Sequence, residues 1–519
     1  MRKMKMKSRV KLYFLLVLGT SLIAFTSCKD DFFVEKAGDR ITPDQHYYTI
    51  NDANVSMEGA IVLLQDAMPR LIVLEGLRSD EMDITDNSNS YLREINNQVF
   101  SKGNPFIDPA DLYKIIINVN EVLANLDLVE SRDRKFDERT AHQYKGALIG
   151  LRSWTYLTLV RMFNQAAYFE TSLTELPSNL NQNIMGKQQI IEKLIEDVTP
   201  YIHSTTQYEE LRIKHYMNTK ALLGELYLEN GNYAMAAQYL KLACESYLNQ
   251  PAMLKVDKTY RDAAWGTMFL NAESQQIENI SVIPFSRSEQ QNNPLATWFG
   301  FDRDYLIRPS NIVLDSFVSQ VTSAGDTMDV YRIANSIGGE IIYGPDSIVS
   351  NINTYIAKYA VDPNDPTSSD IIISRAADIH LMLAEAYNRM ADETSQEYAL
   401  MLLNQGVNKE NPKPAEFSKW SGNLGIRGRA YLASRMVPER DSIPLEERTL
   451  LIEDLIMSER AMELAFEGKR WTDLVRVAER RNDPAYLADK VAAKFQGTSK
   501  YDEIHAKLMN PANWYLPFE

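Results

Sequence analysis

Residues 216–248 constrain the fold of this chain more than any other stretch. Ala221-Leu222-Leu223-Gly224-Glu225-Leu226-Tyr227 places apolar residues at helical spacing and runs out at Asn230-Gly231-Asn232, a turn sequence. Tyr233, Ala236, Ala237, Tyr239 and Leu240 then form a second helical face. Gly224 and Ala236 are small residues where two such helices would touch. The stretch therefore predicts a tightly packed helical hairpin.

The spacing Leu223-Gly224-x-x-Tyr227, turn, Ala236 resembles a tetratricopeptide repeat. A weaker second copy runs from His380 to Asn404, with Leu383-Ala384-x-x-Tyr387, a turn near Asp392, then Tyr398-Ala399 and Leu402-Leu403. Residues 140–163 supply a candidate for another first helix. The copies lie too far apart for a regular solenoid. Further helical patterns fall at 52–68 (Asp52 as N-cap), 109–129 (after Asp108, with Pro109 at N1), 138–163, 187–203, 445–467 and 469–481, with 500–519 as a closing segment. The expected fold is mostly α: a tetratricopeptide-like scaffold with long loop-rich insertions carrying a few short strands.

The insertions fall near 69–107 and 250–370. The first is rich in Gly, Asn, Ser and Asp. The second holds short β-like runs, Ile280–Phe285 and Ile341–Tyr343, and ends in a turn-rich loop at 361–370. Residues 410–444 are interrupted by aromatics and prolines and are expected to be irregular. Loops this long in a compact domain are usually functional or disordered.

The N-terminus reads as a leader. Arg2, Lys3, Lys5, Lys7, Arg9 and Lys11 come without an acid, Leu12–Ala24 is almost wholly apolar, and Phe25-Thr26-Ser27 leads to Cys28. That apolar run is short of the ~20 residues a membrane-spanning helix needs. The expected organisation is a lipoprotein signal peptide at 1–27, a lipidated tether at 28–50 and a single domain at 51–519. Six of the 55 basic residues and none of the 70 acidic ones lie in 1–27, so the remainder carries a net charge near −21. Such a charge argues against nucleic acid as a partner. Besides Cys28 only Cys244 remains, so no disulfide framework exists, and Cys244 reads as a small core residue.

Catalytic signatures are missing: there is no His-Glu-x-x-His, Gly-x-Ser-x-Gly, Walker loop, Gly-x-Gly-x-x-Gly or Cys-x-x-Cys. The six histidines are scattered, and no cofactor is implied. Asp362, Asp365 and Asp370 read better as a solvated loop than as calcium ligands. The insertions instead set aromatics beside hydrogen-bonding side chains. Asp83, Asn89, Tyr91 and Phe100 in the first, and Asn292, Trp298, Phe301, Arg303 and Tyr305 in the second, are the candidate ligand-binding residues. Aromatic faces stack on the C–H face of a sugar ring while amides, Arg and carboxylates bond its hydroxyls. The same set can hold a peptide. A tetratricopeptide-like adaptor that binds no ligand is the alternative from another class.

Several stretches together resemble the SusD/RagB family of nutrient-binding outer-membrane lipoproteins. These are the Cys28 lipobox, with Phe25 where Leu is usual, and Leu77-Arg78-Ser79-Asp80. Leu112-Tyr113-Lys114-Ile115-Ile116-x-x-Val119-Asn120 follows, then Arg375–Ala386. The most specific is Glu459–Arg476, containing Glu467-Gly468-Lys469-Arg470-Trp471, whose Gly468 fits a break between two helices while Arg470 and Trp471 would lock the corner. Trp514–Glu519 resembles a shortened closing motif. The resemblance implies a non-catalytic lid on a SusC-like TonB-dependent outer-membrane barrel, capturing an oligosaccharide or peptide outside the cell and passing it on. It also implies palmitate-type lipid on Cys28, with Lys29-Asp30-Asp31 as a signal for the outer face.

Overall fold

The computed structural model describes residues 46–173, 184–202, 213–245, 256, 262–270, 272, 278–343, 348–360, 368–409 and 413–518. The expected leader, Cys28 and most of the tether lie outside this range, as do Asp362 and Asp365.

The first helix, α1 (Ile50–Arg78), is closed at its start by a reciprocal cap: the Thr49 side chain accepts from Asp52 N–H, and the Asp52 carboxylate accepts from Thr49 N–H at 2.7 Å. Asp52 is thus the third helical residue rather than the N-cap. The helix also runs ten residues past the expected end at 68, straight through Pro69. It is followed by α2 (Ser90–Asn96), α3 (Ala110–Arg132) and α4 (Glu138–Phe163). Next come α5 (Lys187–Val198), α6 (Thr219–Glu229) and α7 (Tyr233–Glu245). Three short helices, α8 (Leu295–Phe299), α9 (Asn311–Val318) and α10 (Val330–Ser336), sit in the second insertion. The C-terminal part holds α11 (Ala376–Met390), α12 (Glu393–Leu403), α13 (Ile426–Arg429), α14 (Leu445–Glu463), α15 (Arg470–Arg481), α16 (Pro484–Ala492) and α17 (Lys500–Leu508).

The long helices pack in a row, α1 on α3, α3 on α4, α4 on α5, then α5 to α6, α7, α11 and α12, and α15 returns to α1. The hairpin read from residues 216–248 forms as expected. At Gly224 a Cβ would lie 2.5 Å from Leu240 Cγ and 3.0 Å from its backbone nitrogen, so only glycine permits this approach. The second hairpin is α11–α12, with Asp392 capping α12 through Ser395 N–H at 2.9 Å. Cys244 is fully buried between these units, 3.9 Å from His380 Nδ1, and burial pushes its thiol pKa up.

Strands are few and all pair antiparallel: β1 (Met82–Ile84) with β5 (Ile307–Pro309), β2 (Gln165–Ala167) with β3 (Ile184–Gly186), β4 (Asn279–Ile283) with β8 (Ile371–Arg375), and β6 (Ile337–Tyr343) with β7 (Ile348–Ile356). The fold is mostly helical with a few short strands, as the sequence predicts; β1 and β4–β7 fall in the expected insertions, while β2, β3 and β8 lie outside them.

Between scaffold and insertion lies a buried ionic layer. Glu463 on α14 accepts from Arg375 at 2.8 Å and from Arg429, and lies 3.3 Å from Arg332; all four side chains are buried. Burial alone would raise the Glu463 pKa, but the three guanidinium groups outweigh it and hold it down at about 2. Glu467 pairs with Arg375 and Lys358 at 2.9 and 2.8 Å. The chain then turns at Gly468 (φ +71°), where a Cβ would lie 3.1 Å from Ile72 of α1. Arg470 forks onto Asp80, both bonds 2.7 Å, and Arg78 stacks 3.9 Å over the Trp471 ring. The Glu467–Trp471 stretch is a buried corner tying α14 and α15 to the end of α1.

Candidate ligand-binding face

The two insertions are widely separated in sequence and meet strand to strand. In the β1–β5 ladder Asp83 faces Arg308. Asp83 Oδ2 accepts from Arg308 Nη2 at 3.2 Å, and Oδ1 accepts from Asn96 Nδ2 at 3.1 Å and Ile84 N–H at 2.8 Å. Asn96 in turn accepts from Lys494 at 3.0 Å, and Lys494 also donates to the carbonyls of Leu77 and Met82. Burial pushes the Lys494 ammonium down to about 8, with the carboxylates of Asp83, Asp80 and Glu81 opposing it. This polar chain anchors β1 to the C-terminal helices and β5 to β1.

Just beyond the ladder the loops are laced together. Thr85 N–H donates to Leu306 O at 3.2 Å, the Thr85 hydroxyl to Tyr305 O, the Ser88 hydroxyl to Leu306 O, and Asn87 Nδ2 to Asp304 O at 3.0 Å. Arg93 braces the first loop from within by donating to the carbonyls of Thr85, Asp86 and Ser88. Neighbouring Glu81 is buried, and its Oε2 has no hydrogen-bond partner among the described residues. Burial pushes its pKa up to about 8.

Around this seam the candidate residues divide. Phe301 (42% exposed) and Tyr91 (38% exposed) present aromatic surface to solvent. Phe301 stands edge-on to Tyr305, ring centroids 5.1 Å apart. Tyr305 is half-buried and held at φ +44°, and its hydroxyl donates to Thr354 O at 2.8 Å, which fixes the ring. Arg303 is exposed, its Nε 3.9 Å from Asp302 Oδ1. Asn89 is exposed while its carbonyl oxygen caps α2 through Leu92 N–H at 3.0 Å. Asn292 is also exposed.

Three candidates have other work. Asp83 is consumed by the ladder and positions the face. Trp298 is half-buried against the core, 6.1 Å from the Phe106 ring, so it supports the loop from beneath. Phe100 lies under the Arg78 guanidinium at 4.9 Å and lines a separate cleft near Tyr515. Sequence reasoning missed Arg308 altogether; only its cross-strand partner, 225 positions away, gives it a role.

The result is an open face of exposed aromatics with amides, carboxylates and Arg303 beside them, on a rigid strand-paired base. Among the described residues, no group of three or more His, Cys, Asp or Glu could hold a metal ion. Asp370, read as part of a solvated loop rather than as a calcium ligand, is instead buried and accepts the backbone N–H groups of Ala272 at 2.6 Å and Phe285 at 3.1 Å. No helix among the described residues is long and apolar enough to cross a membrane.

Residues 343–518 match the model of the SusD family. SusD-like protein P2 of Formosa agariphila is 22% identical over 497 residues, covering 88% of this chain and 89% of its own. SusD-like protein P38 of the same organism is also 22% identical, over 91% of this chain and 92% of its own. Among solved structures, a SusD superfamily protein from Bacteroides vulgatus superposes with a TM-score of 0.64 at 18% identity, covering 90% of this chain and 98% of that one. A SusD-like carbohydrate binding protein from Bacteroides fragilis superposes at 0.58 and 15% identity, over 88% and 94%. The chain is thus similar to SusD-family proteins: residues 343–518 match the family's model, and over about nine-tenths of its length its fold resembles that of a solved SusD superfamily protein.

Proposed function

We propose that this chain captures an oligosaccharide at the cell surface and delivers it to a SusC-like TonB-dependent transporter, without catalysing a reaction. The observation that supports the reading is the pairing of the two insertions, which sets the Phe301–Tyr305 ring pair beside the polar 85–89 loop on one strand-paired base, with Tyr91 exposed on the helix that follows that loop. Stacking on the C–H face of a sugar suits exposed rings, while Asn87, Asn89, Arg303 and Asp302 supply hydroxyl partners. The carbohydrate-binding neighbour from B. fragilis supports the ligand class. In this reading Cys28 carries the lipid that fixes the chain to the outer membrane facing outward, and residues 29–50 are the tether on which the lid moves.

The test is a glycan array followed by calorimetry on the strongest binder. Phe301→Ala should weaken that affinity about fivefold or more, the loss of one sugar-stacking ring being worth ~1 kcal/mol or more. Unchanged affinity would remove the face from the account. An array without hits, together with peptides that co-purify with the protein, would replace the glycan by a peptide in the same lid role.

A further inference from the structure

A second concave site lies away from the strand-paired face, where three distant parts of the chain converge. It is a cleft of about 620 Å³ lined by Phe100 of the first insertion, by Asn164 and Gln165 at the end of α4, and by Asn513 and Tyr515 of the closing segment. The walls are fixed. Leu516 N–H donates to Met162 O at 2.8 Å, and Lys507 donates to Gln98 O. Tyr515 donates its hydroxyl to Glu479. With the Arg78 guanidinium over one face of Phe100, that ring has only its other face or its edge left for the cleft.

The polar groups of this cleft are not used up by the fold. Asn164 is exposed and Gln165 half-exposed, and neither side chain makes a hydrogen bond to the described residues. Asn513 spends its amide N–H on Lys507 O at 2.8 Å. Two half-buried aromatic rings and unengaged amides line one hollow within the range typical of small-ligand sites, which makes it a hydrogen-bonding pocket with aromatic surface. A neutral sugar unit fits that chemistry: the rings meet its C–H face and the amides take its hydroxyls. The Lys507 ammonium also lines the cleft and donates to Gln98 O, so it adds one charged donor at the rim.

We propose that this cleft is a second saccharide subsite, separate from the face built by the two insertions, so that one chain holds two sugar units of a ligand or two ligand molecules. The ligand class rests on the proposed function; the location does not.

Calorimetry of the purified protein with the best array oligosaccharide tests both. Two variants are compared with the wild type: the cleft pair Asn164→Gly with Gln165→Ala, and the face variant Phe301→Ala. Glycine suits the left-handed backbone of Asn164 (φ +60°), and neither cleft side chain makes a hydrogen bond to the described residues, so folding should persist; unchanged thermal unfolding verifies this. The expected result is a second binding event that the cleft variant weakens at least fivefold while leaving the first intact. Binding lost entirely in Phe301→Ala and untouched in the cleft variant overturns the subsite and keeps the face. Binding lost only in the cleft variant keeps the subsite and overturns the face. A wild type that binds no glycan overturns both.

Discussion

Asp83 and Arg308 sit opposite each other in a three-residue ladder, joined by a 3.2 Å contact, and through them two insertions with no local relationship become one surface. The pair is partly open to solvent, with side chains 26% and 33% exposed. Its own contribution to stability should be at most about 1 kcal/mol. In the proposed function its role is positional. Arg308→Ala is therefore expected to shift the thermal midpoint by no more than a few degrees, yet to weaken oligosaccharide binding severalfold by loosening Tyr305 and Phe301. Parallel thermal melts and calorimetry check this; a large loss of stability with intact affinity would contradict it.

Gly224 tests the helical hairpin. An alanine there would force its Cβ against Leu240, including that residue's backbone nitrogen at 3.0 Å, which cannot swing aside. Overpacking of this kind costs about 1–3 kcal/mol. Gly224→Ala should lower the urea midpoint accordingly, and Leu240→Ala added to it should recover only part, because the backbone contact remains.

Glu463 sets an acid limit. Its pKa, about 2 in the folded protein against an ordinary 4.5, means it contributes stability above pH 4.5 that is lost as pH falls toward 2. Glu463→Gln should destabilise by about 3–5 kcal/mol at neutral pH, because Arg375, Arg429 and Arg332 then keep buried charge without their shared partner. The loss should shrink as pH falls from 4.5 toward 2. Urea titrations at pH 7 and below 4 measure both.

Glu81 has the opposite sign. With its pKa raised to about 8, the folded state keeps a proton that the unfolded chain releases near 4.5. The wild type should lose stability as pH rises from 4.5 to 8 and level off above. Glu81→Gln removes that term, so its advantage over the wild type should grow across the same window, reaching a few kcal/mol at most. Equal pH slopes for the two proteins would show that Glu81 ionises normally.

The scaffold was legible because its signals are local. The Asn230-Gly231-Asn232 turn and the Asp392 cap act within a few residues of themselves, Gly224 acts within its own hairpin, and the helices at 138–163 and 470–481 follow their apolar spacing. The end of the first helix was less legible: it runs on from the expected 68 to Arg78 through Pro69, although a proline inside a helix costs ~3 kcal/mol locally. Burial of Met57, Ile61 and Leu64 before it and Ile72, Val73 and Leu77 after it outweighs that cost. The face was legible in composition and illegible in orientation. Trp298 in α8 and Phe301 just past its end are three positions apart, yet one packs on Phe106 and the other faces solvent. Which way each ring points depends on a strand pairing across 225 positions, for which three-residue strands leave no pattern in the sequence.

The central claim is that the paired insertions bind the ligand together. Hydrogen–deuterium exchange of the purified protein with and without a saturating oligosaccharide addresses it most directly. Protection should rise in residues 85–92 and in 299–306 at once. Bound ligand with both segments exchanging as in the free protein would contradict the account.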